Sequence, residues 1–148
     1  HLAKPSRAMR ELIFGRLWLS NVVEIRDIRH VLSFGVEAIV DLAADERVLE
    51  NIPRDIAYIR LPLIDGESND PIILRAAVAM TAELIRTGKP TVVFCSAGLS
   101  RSPCVAAAAI ATAQELDPHQ ALERLVKDKP SDVSPVFWRA VLKTCFKH

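Results

Sequence analysis

The sequence has no excess of charge of either sign and no long apolar run. Its 19 Lys and Arg residues balance 18 Asp and Glu residues, which leaves a net charge of +1. A near-neutral chain without a basic tract is a poor candidate for binding nucleic acid or an anionic membrane, because both depend on clustered cations. The most apolar stretch, residues 105–113, is far shorter than the roughly 20 residues that cross a bilayer. We therefore expect neither nucleic acid nor a membrane as a partner.

Cysteine and histidine are also sparse. The three cysteines, Cys95, Cys104 and Cys145, cannot all pair, so the sequence favours a reducing, cytoplasmic location over a disulfide framework. The four histidines lie far apart and none stands at zinc-ligand spacing from a cysteine. No apolar stretch of sufficient length follows the basic residues near the start, so no secretory signal is predicted. The sequence predicts no metal site and no cofactor.

Length and patterning predict one α/β domain. A chain of 148 residues, half of them hydrophobic, suits a single domain with a full core. No linker rich in Pro or Gly divides it. Residues 1–7 are expected to form a loose N-terminal arm, and residues 8–148 the domain.

Predicted strands and helices alternate along the chain. Two short strands are expected around Gly15 within residues 12–20, and further strands over residues 38–42, 55–63 and 91–95. Helices are expected over residues 22–34, 71–87, 117–127 and 134–147. A further helix is expected to have Ser102 as its N-cap and Pro103 as its first residue, and to end near residue 115. This alternation predicts a sandwich in which helices flank a central, mostly parallel sheet.

One segment carries the chemistry, because a buried strand ends in Cys95 and a helix starts shortly after it. Ligands of α/β sheets bind beyond the carboxyl ends of the strands, where free backbone N–H groups at a helix start favour an anion. Arg101 adds a planar fork that matches two phosphate oxygens, and the same groups favour a thiolate at Cys95. The segment predicts a site for a tetrahedral oxyanion above a nucleophile. Its remaining residues are Ser96, Ala97, Gly98, Leu99, Ser100 and Ser102.

This segment resembles the Cys-x5-Arg-Ser/Thr signature of the protein tyrosine phosphatase superfamily. The flanking segments 17–21, 35–42 and 125–138 are similar to those of dual-specificity phosphatase domains. The resemblance implies a phosphotyrosine phosphatase-like fold and metal-independent hydrolysis of phosphomonoesters through a phosphocysteine intermediate. It further implies a phosphorylated protein as substrate, with phosphoserine and phosphothreonine accepted beside phosphotyrosine.

The resemblance also implies a role for each site residue. Cys95 would attack phosphorus, and Ser102 would assist the sulfur when it leaves. Arg101 and the backbone of residues 96–100 would bind the phosphoryl oxygens. An aspartate about thirty residues upstream would be the general acid. Asp65 fits this position, and Asp70 is the second choice.

Phe94 departs from the family pattern, which has histidine immediately before the cysteine. Its presence predicts a weaker enzyme and is the one feature that favours the alternative function, a catalytically inactive phosphate-binding module, since both Cys95 and Arg101 are retained. The Cys-x5-Arg segment is also compatible with a low-molecular-weight phosphatase or arsenate reductase. A cysteine between a strand and a helix is compatible with a rhodanese-type sulfurtransferase.

The loop itself contains no lysine, which favours a monophosphate over a phosphoinositide. Cys104, on the following helix, is expected either to pack in the core or to form a disulfide with oxidised Cys95.

Overall fold

A computed structural model describes residues 9–146, so the arm predicted for residues 1–7 lies outside the described residues. Among the described helices, none has both the length and the apolar character needed to cross a bilayer. The strands and helices are β1 (Arg10–Ile13), β2 (Leu17–Asn21), α1 (Val22–Ile25), α2 (Ile28–Leu32), β3 (Ala38–Ala43), β4 (Ala57–Leu63), α3 (Pro71–Thr87), β5 (Thr91–Cys95), α4 (Arg101–Gln114), α5 (Pro118–Val126) and α6 (Pro135–Cys145).

The five strands form one sheet in the order β1-β2-β5-β3-β4. Within residues 9–146 the one antiparallel pair is β1 with β2; β2 with β5, β5 with β3, and β3 with β4 are parallel. The predicted mostly parallel sheet is therefore confirmed. All five residues of β5 are buried, as expected for a Val-rich strand covered on both faces. The carboxyl end of β5, which carries Cys95, thus lies in the middle of the sheet edge.

Helices cover both faces of the sheet, as the sequence predicts. A large core cluster joins one face of β2, β3 and β5 to α3, α4, α5 and α6. A smaller cluster joins the other face to α1 and α2. The alanines at positions 106–109 of α4 are fully buried, and their small side chains allow close packing. This packing fixes the start of α4 relative to the end of β5.

The helix predicted over residues 22–34 is wrong, because the structure has two short helices there. α1 ends at Ile25, and α2 begins at Ile28 after an N-cap residue, Asp27. The Asp27 carboxylate accepts a hydrogen bond from the His30 N–H at 3.3 Å. An aspartate that caps a new helix competes with continuation of the preceding one, and apolar periodicity alone does not register this competition.

The predicted start of α4 is also wrong. Ser102 is not the cap; the N-cap position belongs to Ser100, whose carbonyl accepts a hydrogen bond from the Cys104 N–H at 3.0 Å. The Ser100 side chain makes no capping bond. Arg101 and Ser102 consequently lie within the first helical turn, where the helical backbone fixes the direction of both side chains.

Candidate active site

The loop over residues 96–100 is pressed against the end of β2. The Ser96 carbonyl accepts a hydrogen bond from the Val22 N–H at 3.1 Å. Gly98 has a φ of +76°, and a Cβ on it would lie 2.9 Å from the Ser20 carbonyl oxygen and 3.4 Å from the Asn21 Cβ. A position with left-handed φ and a backbone oxygen this close accepts only glycine without a shift of the loop.

We expect the Gly98→Ala variant to lose about tenfold in kcat/KM for p-nitrophenyl phosphate, because a displaced loop misplaces the groups to which the family resemblance assigns phosphate binding. Its melting temperature should also fall by a few degrees. Gly35→Ala is the matched control, since Gly35 has a φ of +86° but no atom within 4 Å of a Cβ. That control should lose stability and keep its activity. Enzyme kinetics and thermal unfolding measure both effects, and unchanged kcat/KM for Gly98→Ala would contradict the prediction.

Cys95 lies at the bottom of this loop with its sulfur directed at the first turn of α4. Only 2% of the residue is exposed. Its Sγ lies 3.2 Å from the Ser102 Oγ and accepts the Ser102 N–H at 3.4 Å. One hydroxyl and one backbone N–H of a helix start therefore converge on the sulfur, an arrangement that supports negative charge there. The structure thus brings together Cys95 and Ser102, as the sequence predicts.

Arg101 is held on one side of its guanidinium group. It is 7% exposed, and its Nη1 donates to the Leu63 carbonyl at 2.7 Å and to the Asp45 Oδ1 at 2.9 Å. Its Nε and Nη2 make no hydrogen bond within residues 9–146. The side of the fork formed by these two nitrogens is thus available to bind an oxyanion.

Asp65 reaches the loop from the segment after β4. Its Oδ1 accepts a hydrogen bond from the Ser100 Oγ at 2.7 Å, and the same Oγ accepts the Ser134 N–H at 2.9 Å. Asp65 is exposed and can meet a ligand from solvent. Asp70 instead caps α3, where its Oδ1 accepts the Ile72 N–H at 2.9 Å. Of the two aspartates that the sequence offers as the acid, Asp65 therefore contacts the loop, whereas Asp70 serves as a helix cap.

Asp45, in the segment after β3, is a site residue that sequence reasoning missed. Its Oδ1 accepts hydrogen bonds from the Arg101 Nη1 and from the Ser96 Oγ, the latter at 2.8 Å. The hydrogen bond from Arg101 is the main reason that the pKa of Asp45 lies below its usual value. The sequence feature that could have identified Asp45 is its position just beyond a buried strand, β3, at the same sheet edge as Cys95.

Phe94 is a core residue, 1% exposed, in the cluster beneath α1 and α2. It is the register partner of Ser20 on the adjacent parallel strand, so the two side chains lie side by side on one face. The Ser20 Oγ is buried and has no hydrogen-bond partner among the described residues. A polar group at position 94 would therefore have a hydroxyl beside it.

Cys104 packs in the large core cluster and is fully buried. Burial is the main reason that the pKa of its thiol is raised. Cys95 and Cys104 are both free thiols, so no disulfide joins them in the structure. Core packing, the simpler of the two expectations for Cys104, agrees with this environment.

Two solved phosphatase structures show the same fold as this chain. Human DUSP28 superposes with a TM-score of 0.72 at 22% identity, over 86% of this chain and 90% of that chain. A mouse putative dual specificity phosphatase gives a TM-score of 0.77 at 18% identity, over 97% of this chain and 91% of that chain.

Sequence comparison gives the family. The dual specificity protein phosphatase Mpk3 of Drosophila melanogaster is 28% identical over 128 residues, which are 86% of this chain. The chain spans about a third (31%) of the length of that relative. The profile of the dual specificity phosphatase catalytic domain matches residues 17–144. This match supports neither of the alternative families considered from the sequence, the low-molecular-weight phosphatases and the rhodanese-type sulfurtransferases. The chain belongs to the dual-specificity phosphatase family.

Proposed function

We propose that the chain hydrolyses phosphomonoesters of phosphoproteins through a phosphocysteine intermediate, without a metal. The observation that carries the proposal is the buried Cys95 sulfur, which lies 3.2 Å from the Ser102 hydroxyl at the bottom of a loop flanked by Arg101. A nucleophile, a hydroxyl that can stabilise it and a cationic fork for the phosphoryl oxygens all come from the short segment between Cys95 and Ser102. Membership of the family supports the same chemistry.

In the first step the Cys95 thiolate attacks phosphorus, and the bond from phosphorus to the leaving oxygen breaks. Arg101 and the N–H groups of the loop bind the equatorial oxygens and stabilise the charge of the transition state. Asp65 gives its proton to the departing oxygen. The products of this step are the dephosphorylated residue and phosphocysteine.

In the second step the Asp65 carboxylate accepts a proton from water, whose oxygen attacks phosphorus. The phosphorus–sulfur bond breaks, and inorganic phosphate leaves. The Ser102 Oγ, 3.2 Å from the Cys95 Sγ, donates a hydrogen bond to the departing sulfur. Asp65 is protonated again and the cycle can repeat.

The loop favours a single phosphoryl group as ligand. Residues 96–100 bring no charged side chain, and the carboxylates of Asp45 and Asp65 lie on either side of the loop. A second phosphate would therefore find little cationic support near the first. We propose phosphotyrosine as a substrate, and phosphoserine and phosphothreonine beside it.

Hydrolysis of p-nitrophenyl phosphate by the wild-type chain in the presence of EDTA tests the proposal. We expect turnover that vanadate inhibits, and a tryptic peptide containing Cys95 that gains one phosphoryl group when the reaction is quenched with acid. Phosphotyrosine and phosphothreonine peptides then give the residue preference. No turnover together with retained tungstate binding would replace hydrolysis with the second candidate function, a phosphate-binding module.

The observation that favours a phosphate-binding module is Phe94, and the Phe94→His variant tests its effect. We expect faster alkylation of Cys95 below neutral pH and a severalfold higher kcat/KM, because an imidazole could hydrogen-bond the Ser20 Oγ, which has no partner among the described residues, and so support the loop and its thiolate. The melting temperature should fall, since burying a polar ring in an apolar cluster costs about 1–3 kcal/mol. Phe94→Leu controls for the change in packing. Identical pH profiles of alkylation in Phe94→His and the wild type would contradict a role for this position.

A further inference from the structure

The carboxylate of Asp45 joins the first and the last residue of the phosphate-binding segment. A single oxygen, Oδ1, accepts the Ser96 Oγ at 2.8 Å and the Arg101 Nη1 at 2.9 Å. The Arg101 side chain is 9% exposed and that of Asp45 is 58% exposed. The ion pair thus fixes a buried cation from the solvent side of the loop.

The hydrogen bonds of Arg101 determine which of its N–H groups remain available. Nη1 carries two hydrogens, and Asp45 and the Leu63 carbonyl accept one each. The remaining donors are the Nε–H and the two hydrogens of Nη2. The Nε–H and one Nη2 hydrogen point the same way in a planar guanidinium, so they form a fork for two phosphoryl oxygens.

A network around the buried carboxylate of Asp41 holds the backbone on both sides of Asp45. Asp41 is 1% exposed; its Oδ1 accepts the Ala43 N–H at 2.9 Å and its Oδ2 accepts the Tyr58 hydroxyl at 2.5 Å. The Tyr58 oxygen in turn accepts the Leu49 N–H at 2.9 Å. Burial, followed by the bond to Asp41, raises the pKa of Tyr58 to about 12, so this hydroxyl keeps its proton near neutral pH.

Arg60 adds two bonds from the neighbouring strand β4. Its Nη2 donates to the carbonyls of Ala43 and Glu46, each at 2.9 Å. These carbonyls lie before and after Asp45 in the chain. These hydrogen bonds fix the backbone around Asp45, although its carboxylate is exposed. A fixed backbone lowers the entropic cost of holding the Asp45 carboxylate against Arg101.

We propose that Asp45 is a positioning residue, which fixes Arg101 through Nη1 so that the fork of Nε and Nη2 is ready for a phosphoryl group. The inference rests on the proposed function, since the fork acts in catalysis only if a phosphoryl group enters the loop. The hydrogen bond from Arg101 lowers the pKa of Asp45, which disfavours Asp45 as a general acid and fits a positioning role.

Asp45→Ala and Asp45→Asn, each in the full chain, test the proposal. We measure tungstate binding by calorimetry and kcat and KM with p-nitrophenyl phosphate. Asp45→Ala should weaken tungstate binding and lower kcat/KM, each about tenfold, because Arg101 loses one of its two fixed contacts. Asp45→Asn should keep most of both, since an amide oxygen can still accept the two hydrogen bonds.

Two controls separate positioning from general effects of charge or stability. Asp55→Asn and Asp55→Ala change an exposed carboxylate just before β4, at the opposite end of that strand from Leu63, and should match the wild type. In an Arg101→Lys background, Asp45→Ala should cost much less than in the wild type, because the two side chains act as a pair. A structural role alone would give the same loss in both backgrounds.

Tighter tungstate binding or faster turnover in Asp45→Ala would overturn the proposal and make Asp45 a competitor of phosphate for Arg101. Values equal to the wild type in both assays would overturn it too. If the wild-type chain shows no turnover, the proposed hydrolysis fails, and tungstate binding by the variants still decides the role of Asp45.

Discussion

Serine at position 95 is expected to remove turnover of p-nitrophenyl phosphate, by at least about a thousandfold. The change replaces one atom, and the new hydroxyl ionises far less readily than a thiol. The Arg101 fork and the loop N–H groups remain, so Cys95→Ser should still bind tungstate. The site is thereby separated into a nucleophile, which is lost, and an oxyanion cradle, which stays.

Cys104→Ser and Cys145→Ser are the matched controls. Cys104 is fully buried and Cys145 is partly buried, so the first should lower the melting temperature more than the second. Both should keep kcat/KM per folded molecule, since neither thiol touches the loop through a hydrogen bond in the described residues. Substantial turnover by Cys95→Ser would contradict phosphocysteine chemistry while leaving the fold unaffected.

The fold and the centre of the site could be predicted from the sequence because their signals are local. Thr91–Cys95 is a run of β-branched and apolar residues, and a small-residue loop and a helix follow it directly. Gly98 is required by the backbone within that same loop, where its φ is +76°. The chemistry of an oxyanion site at the end of a parallel strand follows from these few residues.

The parts that could not be predicted depend on distant contacts. Asp45 and Arg101 are 56 positions apart in the chain, and no periodicity brings them together. The break between α1 and α2 depends on Asp27 as a cap, which competes with an otherwise continuous apolar pattern.

The role of Ser100 was missed for the same reason. Its hydroxyl is engaged by Asp65 and by the Ser134 N–H, which lie 35 and 34 positions away. It therefore occupies the N-cap position of α4 without capping the helix with its side chain. A side chain that joins two distant segments to the loop leaves no local trace in the sequence.

Asparagine at position 65 is expected to slow hydrolysis of a phosphotyrosine peptide by about a hundredfold or more, because the amide cannot give or take a proton. Its oxygen can still accept the hydrogen bond that Asp65 accepts from the Ser100 Oγ at 2.7 Å. The loss should be smaller for p-nitrophenyl phosphate, whose leaving group is far more acidic than tyrosine and needs less protonation. The comparison of kcat between these two substrates is the measurement.

Asp70→Asn is the control that decides between the two candidate acids. Asp70 caps α3 through the Ile72 N–H, and asparagine is as good an N-cap as aspartate. This variant should therefore match the wild type in stability, in turnover and in leaving-group dependence. If Asp70→Asn shows the larger loss on phosphotyrosine and Asp65→Asn does not, the acid is Asp70. The Ser100 hydroxyl would then hold Asp65 for loop structure rather than for proton transfer.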